Sequence, residues 1–346
     1  MSLLAKLKKN SKIKLSDSMT DSTIFNNRED VRISVPCMNI ALSGELERGL
    51  TSGLTVIAGP SRHYKSNMGL VMLASYMNQY PESSVLFYDS EFGSPLQYWK
   101  SQGIDTDRVL HCPIKDIEEL KFDLMSQLTK MEKGDKVIIF IDSVGNLASK
   151  KEVEDAISEN SAADMTRAKA FKSLFRMVTP YLNLNDIPMI CIGHTYKTMD
   201  RFPRDVLSGG TGIFLSADNI WIIGRQQDKD AEGLNGYNFI INVEKSRFVK
   251  EKSKIPLGVS FDRGIEKYSG LLDIALESGA VVKPSMGWYQ LKNGTEKFRE
   301  SATYTGEFWK DILASTEFRQ YVKNKYQLGA GVNPPSSKIS IADDEE

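Results

Sequence analysis

The chain has little cysteine, little histidine and almost no net charge. Its three cysteines in 346 residues, Cys37, Cys112 and Cys191, are odd in number, far apart and set in apolar sequence. That argues against a disulfide framework and predicts buried thiols in a reducing compartment. Three histidines are too few for a zinc cluster built on imidazoles. A formal net charge of −1 supplies no global field for a polyanion, so any contact with nucleic acid needs a local basic surface. No apolar run approaches the roughly 18–20 residues of a bilayer span, so no membrane domain is expected. Leu3, Leu4 and Leu7 among Lys6, Lys8 and Lys9 make a charged start without the apolar segment of a signal peptide, which makes the cytoplasm the expected compartment. Hydrophobic residues at 41% and charged residues at 26% suit one large globular domain with a smaller one beside it.

What is present is an alternation of short apolar strands with helical periodicity. Leu54–Ala58, Val85–Asp89, Val137–Ile141, Met189–Ile192, Asn219–Ile223 and Phe239–Val243 read as strands covered on both faces. Asp116 followed by Glu119 caps a helix carrying Leu120, Leu124, Leu128 and Met131, and Ala168, Phe171, Phe175, Val178 and Leu182 recur at helical spacing. This predicts an α/β fold with a mostly parallel central sheet and helices on both faces, its ligands collecting at the carboxyl ends of the strands. Residues 1–33 read as an arm, a short amphipathic helix and a polar connector that cannot bury its leucines alone. The core spans 34–269, and a small C-terminal α/β domain spans 270–328. Residues 329–346 form a Gly/Pro-containing tail ending in Asp343, Asp344, Glu345 and Glu346.

The stretch Gly59-Pro60-Ser61-Arg62-His63-Tyr64-Lys65-Ser66, with Asn67 heading the helix that follows, lies between the first strand and a long helix-forming run. A tight turn feeding a helix N-terminus aims backbone N–H groups and the helix dipole at an anion. Lys65 adds a mobile charge and Ser66 a hydroxyl for Mg²⁺, so the stretch reads as a nucleotide-phosphate loop. Tyr64 stands where the usual pattern has glycine, so a residue that dislikes positive φ must make the turn. The bland alternative is an ordinary strand-to-helix turn.

Other strand ends carry matching chemistry. Asp142 closes an apolar strand, in place to reach the Mg²⁺ of a bound nucleotide. Glu91, after Val85–Asp89, is placed to orient and deprotonate an attacking water, unless it is a solvent-facing loop glutamate. His194 follows Met189–Ile192 where a γ-phosphate would lie. Two polar segments follow these strands. Residues of about 148–165 carry Lys150 and Lys151, with Arg167 and Lys169 just beyond. Residues 196–212 carry Lys197, Arg201, Phe202 and Arg204 before the flexible Gly209-Gly210. Cations with an aromatic on loops suit single-stranded nucleic acid, although solvated loops share this composition.

The ordered set resembles the RecA family of ATP-dependent strand-exchange proteins, and within it the phage branch, from about Val35 to Leu328. The most specific pieces are Met38 to Gly44, Gly59 to Ser66, Phe87 to Gly93, Phe140 to Leu147, Gly193 to Tyr196 and Val243 to Arg247. The phage branch also lacks glycine before the loop lysine, and resembles this chain in having histidine where bacterial members have glutamine. The resemblance implies a RecA-like P-loop ATPase core using ATP and Mg²⁺, with Lys65, Glu91 and His194 as catalytic groups. It implies Tyr98 stacked on adenine, Lys245 and Arg247 reaching the nucleotide of an adjacent subunit, and DNA bound at the two loops. Lys245 and Arg247 could equally form a strand-end ion pair with Glu244 or Glu251. Further implications are a homo-oligomeric helical filament on single-stranded DNA, pairing with double-stranded DNA, and work with a single-strand-binding protein and a mediator or loader in the host bacterial cytoplasm. Two other readings compete: a hexameric helicase of the same superfamily, and a DNA-coating accessory protein with a relic nucleotide site.

Overall fold

The computed structural model describes residues 2–26, 28–158, 166–229 and 234–329. Its centre is a nine-stranded sheet. The strands are β1 (Gly53–Ala58), β2 (Ser84–Asp89), β3 (Val109–Pro113), β4 (Val137–Asp142), β5 (Pro188–Gly193), and, after a small hairpin of β6 (Thr195–Lys197) and β7 (Asp205–Leu207), β8 (Asn219–Lys229), β9 (Leu234–Lys245), β10 (Lys254–Ser260) and β11 (Gly264–Ile265). The spatial order is β11-β10-β9-β8-β1-β5-β4-β2-β3. The six strands from β8 to β3 run parallel, and β9, β10 and β11 extend the sheet antiparallel. Every residue of β1, β4 and β5 is buried, as two-sided cover by helices requires.

One face carries α3 (Pro36–Ser43) and α4 (Lys65–Gln79); the other carries α6 (Ile117–Leu128), and α8 (Thr166–Leu184), with α1 (Leu3–Asn10), α2 (Thr23–Asn26), α5 (Leu96–Ser101), α7 (Lys150–Ile157) and α9 (Thr211–Ser216) lying elsewhere along the chain. Gly69 lets α4 settle onto the sheet, because a Cβ there would stand 2.6 Å from the Phe140 ring. Six expected strands are found. The sequence reading passed over β3, whose Val-Leu-His-Cys-Pro has no alternation, and β10, which is broken by proline and glycine. Cys37 and Cys191 are buried as expected, but Cys112 is only half buried, because it lies on the edge strand β3.

The C-terminal part holds α10 (Leu271–Ser278), the antiparallel strands β12 (Val281–Ser285), β13 (Trp288–Leu291) and β14 (Lys297–Arg299), then α11 (Gly306–Ala314) and α12 (Thr316–Tyr326). Its Phe308, Trp309, Phe318 and Val322 join the same apolar cluster as α3, β9 and β10, so this part shares the core of the sheet. At the other end α1 buries nothing, and Leu3, Leu4 and Leu7 are exposed. Val31 and Ile33 are already in the core. The terminal acids and all of the tail beyond Gly329 lie outside the described residues.

Candidate nucleotide site and DNA-facing loops

The loop after β1 enters α4 through Arg62 and Tyr64, both left-handed at φ 60° and 56°. Such a conformation costs a side-chain-bearing residue about 1–2 kcal/mol. The Tyr64 ring packs 5.8 Å from that of Phe239 on β9, and aromatic burial offsets the strain. Lys65 begins the helix, 6% exposed, with its ammonium donating to the Pro60 carbonyl at 2.8 Å. Burial lowers its pKa, while the carboxylates of Glu91 and Asp142 oppose that shift. Gly59 passes close to β8, where a Cβ would meet the Ile223 carbonyl at 3.1 Å. His63 Nδ1 lies 2.8 Å from the Ser61 carbonyl and the Arg62 carbonyl accepts from Arg225, so the loop is braced from within and from β8. The Ser66 hydroxyl lies close enough to Asp142 to favour its ionised form.

Asp142 closes β4, 4% exposed; its Oδ2 accepts from Ser94 at 3.3 Å, and its Oδ1 has no partner among the described residues. Burial pushes its pKa up to about 6; repulsion from Glu91 and Asp89 adds to this, and the Ser66 and Ser94 hydroxyls oppose it. A buried carboxylate oxygen without a donor, beside a serine hydroxyl, fits a divalent cation that takes its remaining ligands from phosphate and water.

Glu91 is aimed by its neighbour two residues back. Asp89 Oδ1 accepts the N–H groups of Glu91 (3.0 Å) and Phe92 (2.7 Å), closing a turn at the end of β2. One oxygen of Glu91, Oε1, then accepts from His194 Nε2 at 2.7 Å, from the Ser143 hydroxyl, and from Asn146 Nδ2 at 3.3 Å. Foremost the His194 imidazole, against the opposing effect of burial, holds the carboxyl below the usual range. A carboxylate can only accept, so Nε2 of His194 carries the proton. Gly145 makes room for this ring: a Cβ there would stand 2.0 Å from His194 Cδ2. Gly145→Ala is therefore expected to displace His194 and lower DNA-stimulated ATP hydrolysis by about tenfold or more. Steady-state turnover checks it, and wild-type turnover would show that the ring need not sit there.

Lys65, Ser66, Glu91, Asp142 and His194 thus gather at the carboxyl ends of β1, β2, β4 and β5. Other expected residues lie outside this cluster. Tyr98, on α5, is half exposed and near enough to Tyr64 to help raise that phenol's pKa. Lys245 donates to the Phe214 and Leu215 carbonyls at 2.7 and 3.1 Å, and Arg247 pairs with Asp218. Within one subunit, both cations turn away from the phosphate loop toward the end of α9. The alternative ion pair with Glu244 or Glu251 is not formed among the described residues either.

In the first loop region, Ser149 and Glu152 form a capping box that starts α7. Lys150 lies 3.9 Å from Glu154, and Lys151 pairs with Asp155 at 2.5 Å. Residues 159–165 lie outside the described residues. Lys169 is exposed on α8. The guanidinium of Arg167 is committed inside the chain, donating to the carbonyls of Gly145 (2.6 Å), Leu147 (2.7 Å) and Val144 (3.3 Å). The second loop is more regular than its composition suggests. The β6–β7 hairpin holds Lys197 against Asp205 at 2.8 Å and closes its tip with Thr198 N–H on the Arg204 carbonyl. At that tip Phe202 is 77% exposed with the Arg201 guanidinium over its ring. Gly209 and Gly210, at φ 107° and 78°, turn the chain into α9, which explains glycine there without any ligand. The Ser208 N–H donates to the His194 carbonyl, tying the base of the hairpin to the site. Sequence reasoning missed Asp89, Ser94, Ser143, Gly145 and Asn146 as parts of the site; only the polar run after β4 hinted at any of them.

This arrangement is that of a P-loop ATPase, a mostly parallel sheet whose adjoining strand ends bring together a lysine, a serine, two carboxylates and an imidazole. A family described as the RecA N-terminal domain matches residues 18–266, and one described as the C-terminal domain of the bacteriophage T4 recombination and repair protein matches residues 268–322. The recombination and repair protein of Enterobacteria phage T4 is 50% identical over 338 residues, covering 95% of this chain and 86% of that protein. Protein RecA of Streptomyces venezuelae is 26% identical (86% of this chain, 76% of that protein), and that of Oleidesulfovibrio alaskensis 23% (89% and 84%). The chain belongs to the RecA family of recombinases, which are DNA-dependent ATPases.

Proposed function

We propose that this chain assembles as a helical filament on single-stranded DNA, using bound ATP and Mg²⁺, and catalyses homologous pairing and strand exchange with a duplex. The observation that carries the reading is the single hydrogen-bonded path from Glu91 through His194 to the base of an exposed hairpin bearing Arg201 and Phe202. In it, Lys65 and the backbone of Gly59 to Ser66 hold the phosphates, with Asn67 in the first turn behind them. Ser66 and Asp142 hold the metal, which neutralises developing charge on the phosphoryl oxygens. Glu91 takes a proton from the attacking water, and His194 reports the state of the γ-phosphate to the hairpin. Tyr98 is assigned to the adenine, and Lys245 with Arg247 to the nucleotide of the next subunit, which requires their present partners to be released. ATP held between subunits favours the DNA-gripping state, and hydrolysis removes the contacts that favour it.

Lys150, Lys151, Lys169, Lys197, Arg201, Phe202 and Arg204 are the candidates for the DNA surface in this proposal. Charge on the phosphates with an aromatic face for bases grips without reading sequence, which leaves base edges free to test a second strand. The exposed leucines of α1 suit packing on a neighbouring subunit within the 1–33 arm, beside the 34–269 core and the 270–328 unit. No described helix is long and apolar enough to cross a membrane. The proposed setting is the host bacterial cytoplasm, with a single-strand-binding protein and a mediator or loader as partners.

The test is ATP hydrolysis with and without single-stranded DNA, the same samples being imaged. Strong stimulation with filaments supports the proposal; closed rings, or hydrolysis indifferent to DNA, reject it. Arg201→Ala or Phe202→Ala should weaken single-stranded DNA binding by about 1–3 kcal/mol each without changing thermal stability. Fluorescence anisotropy at physiological salt measures this, and unchanged affinity would remove the hairpin from the DNA surface.

A further inference from the structure

The three hydrogen bonds to Glu91 come from three separate pieces of chain, and all fall on the same oxygen. His194 belongs to the base of the second loop, Ser143 to the end of β4, and Asn146 to the turn that opens the first loop region. The other carboxylate oxygen, Oε2, has no protein partner among the described residues, which leaves it as the one that can face a water. The carboxylate is therefore pinned by one oxygen, and whatever moves the donors rotates the other.

The turn bearing Asn146 is itself gripped from the far end of its loop. Arg167, at the start of α8, donates to the carbonyls of Val144, Gly145 and Leu147, and its guanidinium lies over the Phe171 ring at 5.1 Å. The described ends of the first loop region are thus held together at one clamp. Ser149 adds a second tie at the same place, its hydroxyl lying 3.1 Å from that of Thr166. The loop's start is also tied to α6, where the Ala148 carbonyl accepts from the Ile117 N–H and the Lys150 N–H donates to Glu118. Arg167 is thus the tie that joins the start of α8 to residues 144–147, the turn whose exposed Asn146 side chain hydrogen-bonds Glu91.

We infer that Asn146 is a positioning residue that couples the first loop to hydrolysis, with Arg167 as the clamp through which the loop acts. Glu91 then receives one signal from each DNA loop, through Asn146 and through His194. Single-stranded DNA on either loop adjusts where Oε2 points. The inference rests on the proposed DNA-stimulated hydrolysis and adds to it a second arm that neither the phosphate loop nor His194 supplies.

Asn146→Ala and Asn146→Gln, the second of which keeps an amide donor on a longer stem, are measured against the full-length chain. The readouts are ATP turnover with and without single-stranded DNA, DNA affinity in the presence of a non-hydrolysable ATP analogue, and thermal melting. The ratio of stimulated to unstimulated turnover is expected to fall about fivefold or more in Asn146→Ala. DNA affinity should stay within about twofold, melting should be unchanged, and Asn146→Gln should recover much of the ratio. A merely structural residue would change melting or both rates equally, which would overturn the inference. So would wild-type stimulation in Asn146→Ala, or a loss of DNA affinity, which would make Asn146 a DNA contact. If the wild-type chain shows no stimulation at all, the underlying ATPase reading fails and this inference falls with it, a result distinct from a normal wild type beside an unaffected variant.

Discussion

Glu91→Gln is expected to lower ATP hydrolysis by about 10²–10⁴-fold while leaving ATP-dependent DNA binding in place. The geometry makes this substitution unusually clean. A glutamine carbonyl can accept the same three bonds from His194, Ser143 and Asn146 that Oε1 accepts. The amide nitrogen then takes the position of Oε2, where it offers a donor and no basicity. Orientation is kept and the base is removed. One negative charge is also lost beside Asp142, which Glu91 repels, so nucleotide binding should not suffer. The measurement is turnover with saturating ATP and single-stranded DNA, alongside imaging of the same samples, with filaments expected to outlast those of the wild type. Turnover within about tenfold of wild type would assign proton abstraction to another group or to water alone.

Most of the polar residues of the candidate site were legible because each follows an apolar strand. A run such as Val137 to Ile141 can only be a buried strand, and the polar residue at its end has to emerge at the carboxyl edge of the sheet. Glu91, Asp142 and His194 were read in this way, and Lys65 from the loop that joins the first strand to its helix. What could not be read was how the edge is shaped. Gly145 matters through the space it leaves for the His194 ring across the β4–β5 pair, and only the fold brings the two together. Asp89 looked like the last residue of a strand and proves to cap the turn that carries Glu91.

Charges were the harder class. Arg167 and Lys197 were read as candidate DNA-binding cations, but Arg167 ends on three backbone carbonyls and Lys197 on Asp205. A basic residue near a loop has two stable fates, solvent or a local acceptor, and the sequence does not contain the distance that decides between them. Tyr64 shows the same limit from the other side. Its place in the loop was plain, and its reason, a ring seated against Phe239 on a strand some 175 positions away, was not.

The second large effect concerns stability. Asp142 has its pKa raised to about 6, chiefly by burial, so the folded protein without ligand holds a proton more tightly there than the unfolded chain does. Below about pH 4 both states are protonated and the site costs nothing; above about pH 6 both are ionised and the cost is complete. Stability from this group therefore falls as pH rises from about 4 to about 6. A tenfold displacement of a protonation equilibrium is ~1.4 kcal/mol, which puts the cost near ~3 kcal/mol at neutral pH. Asp142→Asn removes the titration. It adds a buried amide that finds no acceptor at the position of Oδ1, a penalty of about 1–3 kcal/mol that does not depend on pH. The difference in unfolding free energy between variant and wild type is thus expected to shift by ~2–3 kcal/mol in favour of the variant between pH 4 and pH 7, as read from denaturant melts of the nucleotide-free protein. A flat difference would mean that Asp142 is ionised at no cost. With ATP and Mg²⁺ the order should reverse, because a cation at Oδ1 stabilises the wild-type fold by mass action and finds no charge in the variant. The same carboxylate then weakens the empty fold and strengthens the loaded one, and the energy difference between those two states is what a nucleotide-driven filament has available to drive assembly and release.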